Sequence, residues 1–184
     1  MATPTIKYVP VDNFAGLPAY SESKSFATAS GILPAAPFGM EARFKDVQTA
    51  STNAGACVAV YCQGSNVASA GQFVQIVNNS AILLNSANSA SFYPIGIAGA
   101  AMTATNVGGW VGVVGKFDNG AFTNVSFAAD ARVAFASTAG QIGSVTALGS
   151  RIHGIILPNS FTSADTYLTV QLARPFAIGI TGSN

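Results

Sequence analysis

From Val47 to Gly115 the chain runs for 69 residues without one charged side chain. Soluble domains carry charge on about a quarter of their residues, and over its whole length this chain carries it on 8%. No stretch carries a sustained helical period with caps. What the run offers instead is short apolar stretches broken by Gly, Asn and Ser, the pattern of strands and turns. Contact with water must then rest on hydroxyls, amides and the backbone. Charge normally keeps protein surfaces apart, so a surface without it favours adhesion. The run therefore predicts a β-rich subunit whose surface is taken up by other subunits.

The remaining composition narrows the field. With 184 residues, 49% of them hydrophobic, the chain is long enough for one sizeable core and too apolar for general disorder. Net charge is +1 and the eight Lys and Arg are scattered singly, so the clustered cations that bind nucleic acid are missing. No secretory signal is expected at Met1 to Gly16, which lacks an apolar core and contains Pro4, Pro10 and Asp12. Tyr93 to Gly115 is the best membrane candidate, but Pro94, six glycines and the polar Thr103-Ala104-Thr105-Asn106 break it up. A spanning helix needs about twenty predominantly apolar residues. No membrane or nucleic-acid partner is predicted.

Charge and proline divide the chain. Residues 1–46 hold eight of the fifteen charged residues and five of the eight prolines, and proline is excluded from helix interiors and central strands. This quarter reads as an extended Pro-rich arm, followed by an all-β body over 47–184. Its hydrophobes, among them Phe14, Leu17, Tyr20, Phe26, Ile32, Leu33 and Phe38, are too many for a free tail. They predict anchoring in grooves, on the chain's own body or on a neighbour. The alternative is an irregular first strand and loop of the same domain. On the arm reading, removal of residues 1–40 leaves a folded body; on the alternative it does not.

In the body, strands are predicted at 56–62, 72–77, 81–84, 92–98, 110–117, 122–127, 132–137, 152–157 and 167–172, with one short helical turn conceivable over 98–104. The last strand alternates Leu168, Val170 and Leu172 against Tyr167, Thr169 and Gln171. Asn119-Gly120 suits the two positive φ values of a type I′ turn and predicts a hairpin there. Ala139-Gly140 and Asn159-Ser160 mark further turns. The fold class is all-β, a compact sandwich or barrel-like body carrying the N-terminal arm.

Candidates for chemistry are few. His153 is the single histidine; Asp118, Asp130 or Asp165 could orient it in a Ser-His-Asp arrangement, but no serine sits in a G-x-S-x-G elbow. A half-buried, hydrogen-bonded strand histidine is the plainer reading. Cys57 and Cys62 are five apart, which on a strand puts them on opposite faces and forbids mutual pairing. They read as buried free thiols. One His and two Cys give no zinc set, the acids are isolated, and no catalytic residue, metal or cofactor is predicted. The sequons Asn78-Asn79-Ser80 and Asn124-Val125-Ser126 read as accidents of an Asn-rich chain. Glycines in Gly109-Trp110-Val111-Gly112-Val113-Val114-Gly115 fit no phosphate-binding spacing and predict close packing instead. Trp110, Tyr61, Tyr93 and Tyr167 are the aromatics a sugar site would draw on, although core packing explains strand aromatics equally. Arg132, Arg151 and Arg174 lie on or beside predicted strands. Each suits a subunit interface through its planar fork, or a solvated strand edge.

A family resemblance lies in the second half. Ile95-Gly96-Ile97-Ala98-Gly99-Ala100-Ala101, Val111-Gly112-Val113-Val114-Gly115, Ala128-Ala129-Asp130-Ala131-Arg132-Val133, Ser137 to Gly143, Arg151 to Leu157 and Thr169 to Phe176 follow one another. That order resembles the head decoration, or capsid cement, proteins of tailed bacteriophages over residues 55–178. The resemblance implies a non-enzymatic virion protein, made in the host cytoplasm and bound as a homotrimer to the outside of the head. Its partner would be the major capsid protein. Residues Phe14, Leu17, Tyr20, Phe26, Arg132, Arg151 and Arg174 are the candidate interface positions. A tail, spike or shell protein is the alternative within the virion, and a sugar-binding β module the alternative outside it.

Overall fold

Valine, isoleucine and aromatics set between glycine and asparagine favour strands because their branched or flat side chains pack well on a pleated surface. The computed structural model describes residues 8–11, 17–46, 56–85, 93–120, 126–136, 138–144, 151–162, 165 and 167–177. The described residues form β1 (Tyr8–Pro10), β2 (Ser23–Ser25), β3 (Glu41–Asp46), β4 (Ala56–Ser65), β5 (Phe73–Val77) and β6 (Ser80–Leu83). They continue as β7 (Ile95–Ala98), β8 (Val107–Gly120), β9 (Val133–Phe135), β10 (Ile142–Ser144), β11 (Ile152–Ile156) and β12 (Leu168–Ala177). A single 3-10 turn at Thr28–Ser30 is the one helical element described; residues 98–104 make none. The protein is all-β, with a closed barrel at its centre.

The barrel is a ring of five strands. β4 pairs in parallel with β6, and the ring continues antiparallel through β5, β7 and β8 back to β4. Because side chains alternate, each strand sends one set inward and one outward. The inward set is small: Val60, Cys62, Val74, Ala81, Ala98, Val111 and Val113 form one cluster, which Val67 and Met102 plug at one end. A five-stranded ring has room for little more, since barrel diameter grows with strand number. Gly64 and Gly109 leave the space Met102 occupies: a Cβ on either would come within 2.8 Å of its side chain.

The outward face is also largely apolar, with Gln75 its buried polar side chain. Tyr61, Phe73, Ile95, Ile97 and Trp110 are fully buried on it, beneath β3, β12, β11 and the segment around Tyr20. Strands covered on both faces read as near-continuous apolar sequence. This accounts for the missing charge in β4 to β7 and in β8 as far as Gly115, the parts of the barrel within the 69-residue run, without recourse to a second subunit. It does not account for the loops of that run.

Residues 17–46 are stitched into this body. β2 pairs with β8 and β3 with β4. The Tyr20 hydroxyl donates to the Ile97 carbonyl at 2.8 Å and the Trp110 indole N–H to the Pro18 carbonyl at 3.0 Å. An unbroken aromatic seam runs Phe26, Phe38, Tyr61, Trp110, Phe44, Tyr20, Phe117, with neighbouring centroids 5.0 to 5.9 Å apart. Four of its seven rings come from residues 17–46, so this part of the chain and the barrel share one core.

Two turn expectations change. Asn119-Gly120 closes no hairpin: β8 continues through both residues, and Gly120 pairs with Leu168 of β12. The two-residue turn with paired positive φ lies at Asn78-Asn79 instead (φ 49° and 63°), joining β5 to β6 with Val77 opposite Ser80. Asparagine tolerates the left-handed region nearly as well as glycine because its short amide bonds locally. The strand expected at 122–127 falls mostly outside the described residues; Phe127 makes an isolated bridge to Phe161. Gly140, at φ 77°, turns β9 into β10 as expected.

Candidate functional site

The barrel is plugged at the Met102 end and open at the other. There, around the Asn78-Asn79 turn, lies a cavity of about 410 Å³. Its floor is the inward face of three barrel strands, Val60, Ile76 and Val113; its walls are Pro94, Pro175 and Phe176; Gly39, Asn79, Glu41 and Arg174 complete the rim. Mouths of β-barrels are common ligand positions, and pockets of roughly 300–1,000 Å³ are the usual size.

A strand irregularity aims Arg174 at this mouth. In the β11–β12 pair, His153 faces Phe176 but Ile155 faces Leu172, so β12 carries the extra residues. Pro175 fits there because a bulge does not need its missing N–H. Gly154 opposite, at φ 78°, has no room for a side chain: a Cβ would lie 2.8 Å from the Ala173 carbonyl oxygen. Arg174 itself takes φ 47°, a conformation that strains a residue bearing a long side chain. Its guanidinium then grips Glu41 of β3 with both forks, Nη1 to Oε1 at 2.7 Å and Nη2 to Oε2 at 3.0 Å. Hydrogen bonding from Arg174 holds the Glu41 carboxyl below the ordinary carboxylate range, and the same pair pushes Arg174 upward. The charges therefore cancel at the rim.

The other singled-out residues scatter. His153 is half-buried and stacks flat on Phe176, 5.5 Å between centroids, so it backs the pocket wall without lining the pocket. No three His, Cys, Asp or Glu side chains gather into a metal-holding group among the described residues. Cys57 and Cys62 are buried and not disulfide-bonded, in separate clusters, one outside the barrel wall and one inside. Burial pushes the Cys62 thiol up to about 12, which leaves it protonated and unreactive. Trp110 and Tyr61 are fully buried, Tyr167 half-buried and Tyr93 exposed.

Among the candidate interface positions, Phe14 lies outside the described residues. Leu17 packs half-buried against the core, while Tyr20 and Phe26 are 1% and 9% exposed. Those two anchor their own chain and leave almost no side-chain surface for a partner. Arg132 is exposed, Arg151 half-buried beside β9, and Arg174 exposed at the pocket. The structure does not bring the three arginines into one described site.

Sequence reading missed the pocket because its lining comes from six separate stretches of chain. It also missed the apolar tip at Ile32-Leu33. There Ala27 and Ile32 exchange backbone hydrogen bonds across the 3-10 turn, yet the side chains of Ile32 and Leu33 are 56% and 74% exposed. Their exposure was not legible from hydrophobicity, which marks them as core.

Comparison of the chain with protein-family models, curated proteins and solved structures finds no match in any of the three.

Proposed function

We propose that this chain is a non-enzymatic virion structural protein that decorates the outside of a phage head, binding the lattice of the major capsid protein as a homo-oligomer. The observation that carries the reading is the exposed surface of the barrel loops. Among the described residues, thirteen exposed positions lie in the barrel's own loops: Asn66, Ala68, Ser69, Ala70, Ala101, Thr103, Ala104, Thr105 and Asn106 at the plugged end, and Asn78, Asn79, Tyr93 and Pro94 at the open end. At the usual proportion about three would be charged; none is. Burial explains uncharged strands but gives no reason for uncharged loops facing solvent. Adhesion to other protein surfaces gives one. Exposed Ile32, Leu33, Tyr93, Ile156 and Phe176 add apolar contact area, and many modest contacts sum through multivalency on a repeating lattice. The resemblance of residues 55–178 to head decoration proteins supports the same reading.

Quantitative mass spectrometry of purified particles tests it. A copy number close to that of the major capsid protein is expected, with intact but more fragile heads when the gene is removed. A handful of copies per particle, or loss of heads altogether, refutes decoration and points to a tail or shell component.

A further inference from the structure

The molecule carries an apolar projection and an apolar hollow at opposite ends. Ile32-Leu33 is rooted at the plugged end, where the Phe26 N–H bonds the Asn106 carbonyl and the Ala27–Ile32 turn follows directly. The pocket lies at Val113, farther along β8. Seven residue steps lead from Asn106, just before β8, to Val113, about 23 Å at 3.3 Å per step. Leu33 is 74% exposed and is not among the residues that line this cavity.

We propose that the Ile32-Leu33 tip of one copy seats in the barrel-mouth pocket of the next, head to tail. This rests on the reading of the chain as a self-associating structural protein. The two surfaces match in charge. From Ser25 to Met40 the tip segment contains no ionic residue, and among the described residues that line the pocket the ionic groups, Glu41 and Arg174, already neutralise one another. Seating an uncharged tip on Val60, Ile76 and Val113 therefore strands no charge in a dry interface, where an unpaired one would be costly. The tip is also ordered in advance by its 3-10 turn and paired hydrogen bonds, so little conformational entropy is lost on docking. A contact between two different surfaces is heterologous, and that kind of contact builds closed rings such as trimers, or open chains where rotation does not close. A two-fold dimer would instead set one patch against itself.

Complementation between two broken subunits tests this. Ile32→Asp with Leu33→Asp disables the tip and leaves the pocket; Phe176→Asp disables the pocket and leaves the tip. Pro94→Asp, also on the exposed rim, replaces Phe176→Asp if circular dichroism shows that the latter does not fold. In analytical ultracentrifugation the wild type should self-associate, and each variant alone should associate at least tenfold more weakly. An equimolar mixture should yield one-to-one dimers and stop there. A wild type that stays monomeric at millimolar concentration, variants that assemble like wild type, or a mixture that remains monomeric overturns the proposal. Cosedimentation of the same proteins with undecorated heads separates the two readings. Self-association without head binding sinks decoration and keeps the tip-in-pocket contact. Head binding by a monomeric wild type does the reverse.

Discussion

Replacing Tyr20 by alanine asks whether the first quarter of the chain belongs to the core. The ring is 1% exposed and packs against Phe44 and Phe117, with centroids 5.9 and 5.6 Å away. The barrel is shaped to receive it: a Cβ at Gly99 would lie 2.1 Å from the Tyr20 carbonyl oxygen, and one at Gly112 would lie 2.8 Å from its hydroxyl. Truncating a buried aromatic to alanine costs about 3–5 kcal/mol in transfer and cavity terms. The lost hydrogen bond to the Ile97 carbonyl is separable through Tyr20→Phe, which should cost about 1 kcal/mol. Against a total stability of about 5–15 kcal/mol, Tyr20→Ala removes a large share, and for a chain of this size it should lower Tm by about 10 °C. Urea titration followed by both far-ultraviolet circular dichroism and Trp110 fluorescence measures this. One coincident transition is expected, with the midpoint shifted and the slope unchanged. Were residues 17–46 an arm held by a neighbour, Tyr20→Ala would cost the isolated subunit under 1 kcal/mol and act on assembly alone. That result refutes the shared core. By the same logic, removal of residues 1–40 takes Tyr20, Phe26 and Phe38 out of the seam and the Pro18 carbonyl from the Trp110 indole, and the remainder should not fold cooperatively.

Gly112→Ala should destabilise by about 1–3 kcal/mol through overpacking, because the new methyl would sit 2.3 Å from Phe117 Cζ; thermal unfolding measures it, and a neutral result would show the seam to be loose. Asn79→Val should cost about 1–3 kcal/mol by forcing a β-branched residue to φ 63°, whereas Asn79→Gly should be tolerated or slightly stabilising in the same melts. The Glu41–Arg174 pair, with side chains 46% and 59% exposed, contributes at most about 1 kcal/mol. Since the folded Glu41 pKa is lowered, that contribution is complete above the unfolded value of about 4.3 and is lost as pH falls through the folded one. Glu41→Gln should remove this acid-limb dependence, so an unchanged pH profile of stability in the variant would show that the pair does not couple to folding.

Local chemistry determined the class of this protein. Short β-branched and aromatic runs between Gly, Asn and Pro have few stable uses other than strands, and seven of the nine predicted strands overlap a described one over most of their length. Parity alone placed Cys57 and Cys62 on opposite faces of β4, because side-chain alternation along a strand is a property of the backbone. What crossed the chain was not legible. The Asn119-Gly120 pair has the right residues for a turn, yet β12 supplies partners that carry β8 straight through it. Asn78-Asn79 makes the turn because β5 and β6 pair on either side of it. Tyr20 and Leu33 are both hydrophobic members of one Pro-rich segment; one is the keystone of the core and the other projects into solvent. Only ring closure, which sets strands distant in sequence side by side, decides which hydrophobes are covered. It also assembles a pocket from residues between Gly39 and Phe176 that no window of the sequence contains.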